Sequence, residues 1–174
     1  MVELLKKCRI YGKYRALCFW IINHLLVGLS PWKCKCKIIL LNSIGCSIGT
    51  GTRIVGPIEC SGALTVGNNT FIGKYLKVNG NGFVRIGDNC DIGPEVTFQT
   101  GGHIIEGKSR RAGQGCIYTQ EVGNGTWICG RVTILKDTRI GCGCVVAGCA
   151  CVISDIEENT LVGGVPAKVI RRLE

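Results

Sequence analysis

Of the 174 residues in this chain, two are histidines, and one of them, His103, stands where acid–base chemistry is plausible on sequence grounds. It closes the run Thr100-Gly101-Gly102-His103, and Glu106, Lys108, Arg110 and Arg111 follow within eight positions. Imidazole titrates near neutrality, so a positioned histidine can take the proton of a hydroxyl as that hydroxyl attacks. The preceding glycines let other groups approach it closely. Glu106 can orient the imidazole or bind acceptor hydroxyls; a solvated loop carboxylate is the plainer alternative. Arg110 and Arg111 can clamp an anionic acceptor, such as a uronic acid or a nucleotide diphosphate, or simply carry loop charge. His24 lies in an apolar block and reads as structural.

Thirteen cysteines raise the question of metal. Cys34/Cys36, Cys142/Cys144 and Cys149/Cys151 are each one residue apart, tighter than zinc ligands usually stand, and no four-ligand set is organised in the sequence. Cys60, Cys90 and Cys144 sit where a small inward residue fits, so they read as core filler. No metal is expected. The apolar run Ala16–Leu29 contains Asn23 and His24 and precedes no small-residue cleavage site, so it does not read as a secretory signal. It is also short for a membrane span. A cytoplasmic, reduced chain is the expectation.

The elements that position these groups follow from one period. Val122, Ile128, Ile134, Ile140, Val146 and Val152 recur every sixth residue. Ile48, Ile54, Cys60, Val66, Ile72 and Val78 keep the same beat, and after a two-residue slip so do Ile86, Ile92 and Phe98. A period of six is the mark of a hexapeptide parallel β-helix, an all-β solenoid with three hexads per coil. Glycines such as Gly67, Gly73, Gly87, Gly93, Gly123 and Gly141 follow the periodic aliphatics and fall at corners. The turn cluster Asn79–Gly82 accounts for the slip. Two solenoid blocks, about 44–98 and 122–165, amount to about five coils. Between them the beat stops, and residues 99–121 read as one protruding loop, the usual place for a binding site. Upstream, residues 1–43 form an N-terminal helical segment. One helix is expected over 3–28, then a break at Ser30-Pro31 and a second short helix or turn over 32–41. The β-helix domain spans 44–174, and its last ten residues leave the repeat to cross the final coil as a short strand or helix.

The net charge of +9 is uneven. Residues 1–37 hold Lys6, Lys7, Arg9, Lys13, Arg15, Lys33, Lys35 and Lys37 against Glu3 alone. Such a segment either forms a solvated helix face or meets an anionic membrane surface, which would make the chain peripheral at the inner membrane face. No nucleic-acid motif or aromatic-rich basic stripe accompanies the charge, so nucleic acid is not an expected partner.

The hexads, the loop phrase TGGH and the terminal GGVPAKVIRR (Gly163–Arg172) together resemble the hexapeptide-repeat acyltransferases, in particular the sugar O-acetyltransferases that include maltose and galactoside acetyltransferases. The phrase GGHIIEGKSRRAG is similar to polysaccharide-tailoring members. The resemblance covers about residues 44–172. It implies a left-handed β-helix, a homotrimer with active sites between subunits, and acetyl-CoA as co-substrate in the groove between two helices. It implies His103 as the catalytic base acting on a sugar or glycan hydroxyl by direct attack in a ternary complex. It further implies contacts to the pantetheine arm at Gly130 and Gly148, and to the nucleotide end at Pro166, Lys168 and Arg171. Trp127 either borders the cofactor groove or covers the coil face. One departure stands out. Many members have Thr-Lys before the Asp of the last hexad, where this chain has Ile153-Ser154 before Asp155, so a phosphate-binding cation is missing unless Lys168, Arg171 and Arg172 suffice. Other acceptors, such as an amino sugar, serine or an antibiotic, remain open, as does a non-catalytic scaffold on the same fold. A zinc hydratase of this architecture needs three histidine ligands, and the chain has two histidines in all.

Overall fold

The computed structural model describes residues 2–174 along the backbone and residues 11–174 in their side chains. Lys6, Lys7 and Arg9 of the basic segment lie outside the described side chains. Two helices, α1 (Val2–His24) and α2 (Pro31–Ser43), precede a prism of three parallel sheets. The first helix ends four residues earlier than expected, because the chain needs Leu25–Ser30 to turn; Gly28 there takes φ +110° and its N–H reaches Val55 O.

Each coil contributes one short strand to each face. The first face holds Ser47–Ile48, Ala63–Val66, Phe83–Ile86, Thr119–Val122 and Thr138–Ile140. The second holds Arg53–Ile54, Phe71–Ile72, Asp91–Ile92, Trp127–Ile128, Val145–Val146 and Thr160–Gly163, with Lys168–Arg172 added antiparallel at its end. The third holds Ile58–Cys60, Leu76–Asn79, Thr97–Gln99, Thr133–Leu135 and Cys151–Val152. The periodic aliphatics all point inward and form one continuous buried column from Ile48 to Val162. No coil could bury its corner residue alone, so each depends on the coils above and below.

The coil count corrects the expectation of five. There are five full coils and a partial sixth, begun by the bridge Ile140–Ile156 and completed on the second face by Thr160–Gly163. The reason is a second slip that breaks the sixfold beat. Stacked partners are 18 apart at Ser47–Thr65 and 20 apart at Ala63–Phe83, but only 16 apart at Val145–Leu161. The last coil is two residues short, so its inward Ile156 falls off the period.

A β-helix has open ends whose edge backbone must be satisfied. At the first coil the helices do this with side chains, one set per face. Asn42 accepts from Ile48 N–H and donates to Ile48 O on the first face. Lys37, fully buried, donates through Nζ to Ile54 O, Val55 O and Gly28 O on the second. Asn23 pairs both ways with Ile58 on the third, and Arg15 donates to Ile44 O and Cys60 O. Two of the basic residues read as surface charge are therefore backbone plugs. A corner column shows a similar economy. Thr52, Thr70, Cys90, Thr126 and Cys144 each donate to a carbonyl of the next coil, at Gly67, Gly87, Gly123, Gly141 and Glu157. Cys90 and Cys144 thus act as weak donors in a hydroxyl ladder rather than as mere filler.

Candidate active site

The protruding loop is a β-hairpin. Gly101–Ile105 pairs antiparallel with Ala112–Ile117, with a register shift between His103 and Ile105. It leaves the edge between third and first faces, where Phe83 stacks on Thr119, 36 residues later, so one coil length is ejected. Its base is pinned by Gln120, whose Nε2 donates to Gln99 O, Ile134 O and Lys136 O at 3.2, 3.0 and 3.0 Å. Gln120 is fully buried, and its Oε1 has no partner. Gln120 was not among the candidates read from the sequence, although a signal was present: it occupies the inward position held by Leu64 and Val84 in the coils below. Tyr118 also escaped notice. Its phenol receives the Cys116 thiol at 3.1 Å, and its ring lies against Gly102, where an added Cβ would meet the phenol oxygen at 2.6 Å.

His103 is exposed on this hairpin, with Nδ1 2.9 Å from the carbonyl oxygen of Gly113. A carbonyl only accepts, so in the neutral ring Nδ1 carries the proton and Nε2 keeps its lone pair. That tautomer presents Nε2 as a base. Glu106 does not face an acceptor. Its Oε1 accepts from Gln114 N–H at 3.1 Å and its carboxyl packs over Gly113, so it braces the strand that holds His103. Arg111 donates to Glu106 O at 3.3 Å and belongs to the same brace. Among the described residues Arg110 and Lys108 make no ion pair.

The other candidate residues gather along a different edge, between second and third faces. Gly130 and Gly148 stack there on successive coils, joined by Cys149 N–H to Gly130 O at 3.0 Å. Pro94 lies below, within 3.3 Å of a Cβ added to Gly130. Gly164 lies above and accepts from Cys151 N–H. Trp127, half exposed, sits three residues before Gly130 on the second face. Pro166 is in the turn that leads into Lys168–Arg172 at the top of that face. Most corner glycines have no choice of residue. A Cβ on Gly93 would meet Gly130 N at 2.6 Å, and one on Gly73 would meet Gly93 C at 2.8 Å. Gly148 is different. Its φ is not positive, and a Cβ there meets nothing closer than Gly130 O at 3.4 Å. Among the described residues neither its N–H nor its C=O has a backbone partner. Packing does not demand glycine at this exposed corner, which leaves room for a chain laid against it.

Beside this edge lies Cys129. Burial pushes its thiol above the ordinary cysteine value, and the opposing pull of Gly148 N–H is smaller. Of the terminal cations, Arg172 is already engaged with Glu157, Thr160 Oγ1 and Glu158 O. Lys168 and Arg171 are exposed and make no ion pair among the described residues, which leaves two cations rather than three available to an anion. No group of three or more metal-ligating side chains occurs among the described residues.

The fold thus assembles two half-sites on different edges of the prism. The hairpin carries His103, Glu106, Arg110 and Arg111; the other edge carries Gly130, Gly148, Pro166 and Lys168, with Trp127 and Arg171 in one register on the adjoining second face. One face, six residues at about 3.3 Å each, or roughly 15–20 Å, separates them.

Comparison with known proteins gives the context of these half-sites. The galactoside O-acetyltransferase of Escherichia coli K12 is 29% identical over 175 residues, covering 99% of this chain and 83% of that one. A putative acetyltransferase of Saccharomyces cerevisiae is 36% identical over 108 residues, of which the match spans 62% of this chain and 55% of the yeast protein. The crystallised galactoside acetyltransferase in complex with coenzyme A superposes with a TM-score of 0.79 at 25% identity, covering 94% of this chain and 82% of that one. No family model matches the chain.

Proposed function

We infer, because this chain belongs to the hexapeptide-repeat acetyltransferase family, that it is an acetyl-CoA-dependent O-acetyltransferase whose acceptor is a hydroxyl of a sugar or glycan precursor. The observation that carries this reading is the edge at Gly148. An exposed corner where alanine would fit, whose peptide group has no backbone partner among the described residues, beside a closing strand with two cations that make no ion pair there, suits a long ligand that runs along backbone and ends in phosphate.

In this reading His103 Nε2 takes the proton of the acceptor hydroxyl as its oxygen attacks the thioester carbonyl. The tetrahedral intermediate collapses, the carbon–sulfur bond breaks, and the imidazolium returns the proton to the departing thiolate. The acetyl group ends on the acceptor oxygen and free thiol is released. This is direct transfer in a ternary complex, with no acyl-enzyme. An anionic acceptor is supported by Arg110 and Lys108 at the hairpin, which make no ion pair among the described residues.

The two half-sites meet only if a second copy brings its hairpin to the glycine edge of the first, and we take the working enzyme to be a homotrimer. The hairpin's exposed Ile104, Ile105 and Ile117, together with the half-exposed Trp127, support contact between copies. The enzyme is taken to be cytoplasmic, where its twelve described cysteines, all free thiols, would stay reduced. A thiol-release screen with acetyl-CoA against neutral, acidic and amino sugars tests the reading. Release that depends on a hydroxyl acceptor supports it; release with amino sugars alone, or no binding of coenzyme A by calorimetry, overturns it.

A further inference from the structure

The helical cap carries a second surface that the acetyl-transfer site does not use. From residue 4 to residue 58 the chain has no aspartate or glutamate. The helices bury one side against the first coil, through Cys18 and Ile22 of α1 and Cys34, Lys37 and Leu41 of α2. The opposite sides face away from the prism. On α1 that side is Lys13, Leu17, Trp20 and His24, spaced by four, three and four residues; on α2 it is Trp32, Lys35 and Ile39, spaced by three and four. Leu17, Trp20, Trp32 and Ile39 are 51–66% exposed, and Leu25 and Leu29 extend the apolar patch between the helices. Trp20 stacks on His24, with ring centroids 5.2 Å apart, and Lys33 Nζ lies 5.7 Å from the Trp32 ring centre. Two of the chain's three tryptophans are therefore held outward at the end of the solenoid.

We propose that this outward face of α1 and α2 docks on an anionic membrane surface. Exposed aliphatics and tryptophans interleaved with lysines, with no carboxylate among them, match the headgroup boundary of a bilayer in both polarity and charge. A second copy of the same face is a poor occupant, since it would set lysine against lysine. No described helix is long and apolar enough to cross a membrane, so the chain lies on the surface. The hairpin leaves the prism between third and fourth coils. At about 4.8 Å per coil over a helix layer about 10 Å thick, His103 then stands roughly 25–30 Å above the bilayer. Resting on the acetyltransferase reading, this height makes the acceptor a glycan carried on a lipid, modified some way out from its anchor.

Flotation of the full chain with vesicles of phosphatidylcholine, with and without phosphatidylglycerol, tests the docking independently of acetyl transfer. The chain should float with the anionic vesicles, and less so at high salt. Trp20→Ser/Trp32→Ser and Lys13→Gln/Lys35→Gln should each lower the partition at least about tenfold, two lysines alone being expected to give about 30-fold. Both variants should keep the wild-type melting temperature, solution mass and thiol release with a free sugar. Failure of the wild type to float, floating of both variants like wild type, or a change of solution mass in the tryptophan variant would each overturn the proposal. Because thiol release is read without vesicles, its absence from the wild type would count against the acetyltransferase reading and not against the docking.

Discussion

Gly148→Ala separates a glycine that the fold requires from one that a ligand requires. The added methyl would lie 3.4 Å from Gly130 O and 3.9 Å from Cys129 Cβ, ordinary van der Waals contacts, at a residue without positive φ. Stability should be unchanged or raised by up to about 1 kcal/mol, since alanine restricts the unfolded chain. The same methyl lies beside an exposed peptide group that has no backbone partner among the described residues. Losing one ligand hydrogen bond there costs about 1–3 kcal/mol, which corresponds to roughly 5- to 150-fold in affinity. Calorimetric Kd for coenzyme A and KM for acetyl-CoA should rise by that factor while Tm holds. Gly93→Ala is the contrast, because its methyl would meet Gly130 N at 2.6 Å, and it should lose folded protein rather than affinity. A folded Gly148→Ala enzyme that binds coenzyme A as tightly as wild type would refute the assignment of this edge.

Three further outcomes are expected. His103→Ala should lower turnover by about 10²- to 10⁴-fold, as loss of a positioned base does, with calorimetric affinity for coenzyme A retained. Lys168→Ala and Arg171→Ala should each raise Kd for coenzyme A by about tenfold, the loss of one charge-assisted contact; Arg172→Ala, whose partner is Glu157, should leave that Kd within about twofold. Lys37 supplies a pH test. Burial holds its ammonium below the ordinary lysine value, so between that lowered value and about pH 10.4 the unfolded chain binds more protons than the folded one. Stability from this group therefore rises with pH across that window, and Tm of the wild type should climb relative to Lys37→Met as the buffer goes from neutral toward pH 10.

The hexad was enough to give the solenoid, because inward burial recurs once per six residues and nothing about distant partners is needed to see it. The position of the hairpin was equally legible as the long gap between two runs of that beat, and His103 stood out inside it. Other features depend on which residues stack 16, 18, 20 or 36 positions apart, and a local pattern does not encode that register. Only stacking reveals that Gly93 is wedged against Gly130 N while Gly148 is not. Only the docked helices turn Arg15 and Lys37 from surface charge into plugs for orphan carbonyls of the first coil. Glu106 became a brace for the strand carrying His103 because the hairpin folds it over Gly113. Sequence determined the period, and with it the coils and the interruption. Tertiary structure decided that the base and the glycine edge stand on separate corners of the prism, because the corner a residue occupies depends on the sum of every slip before it.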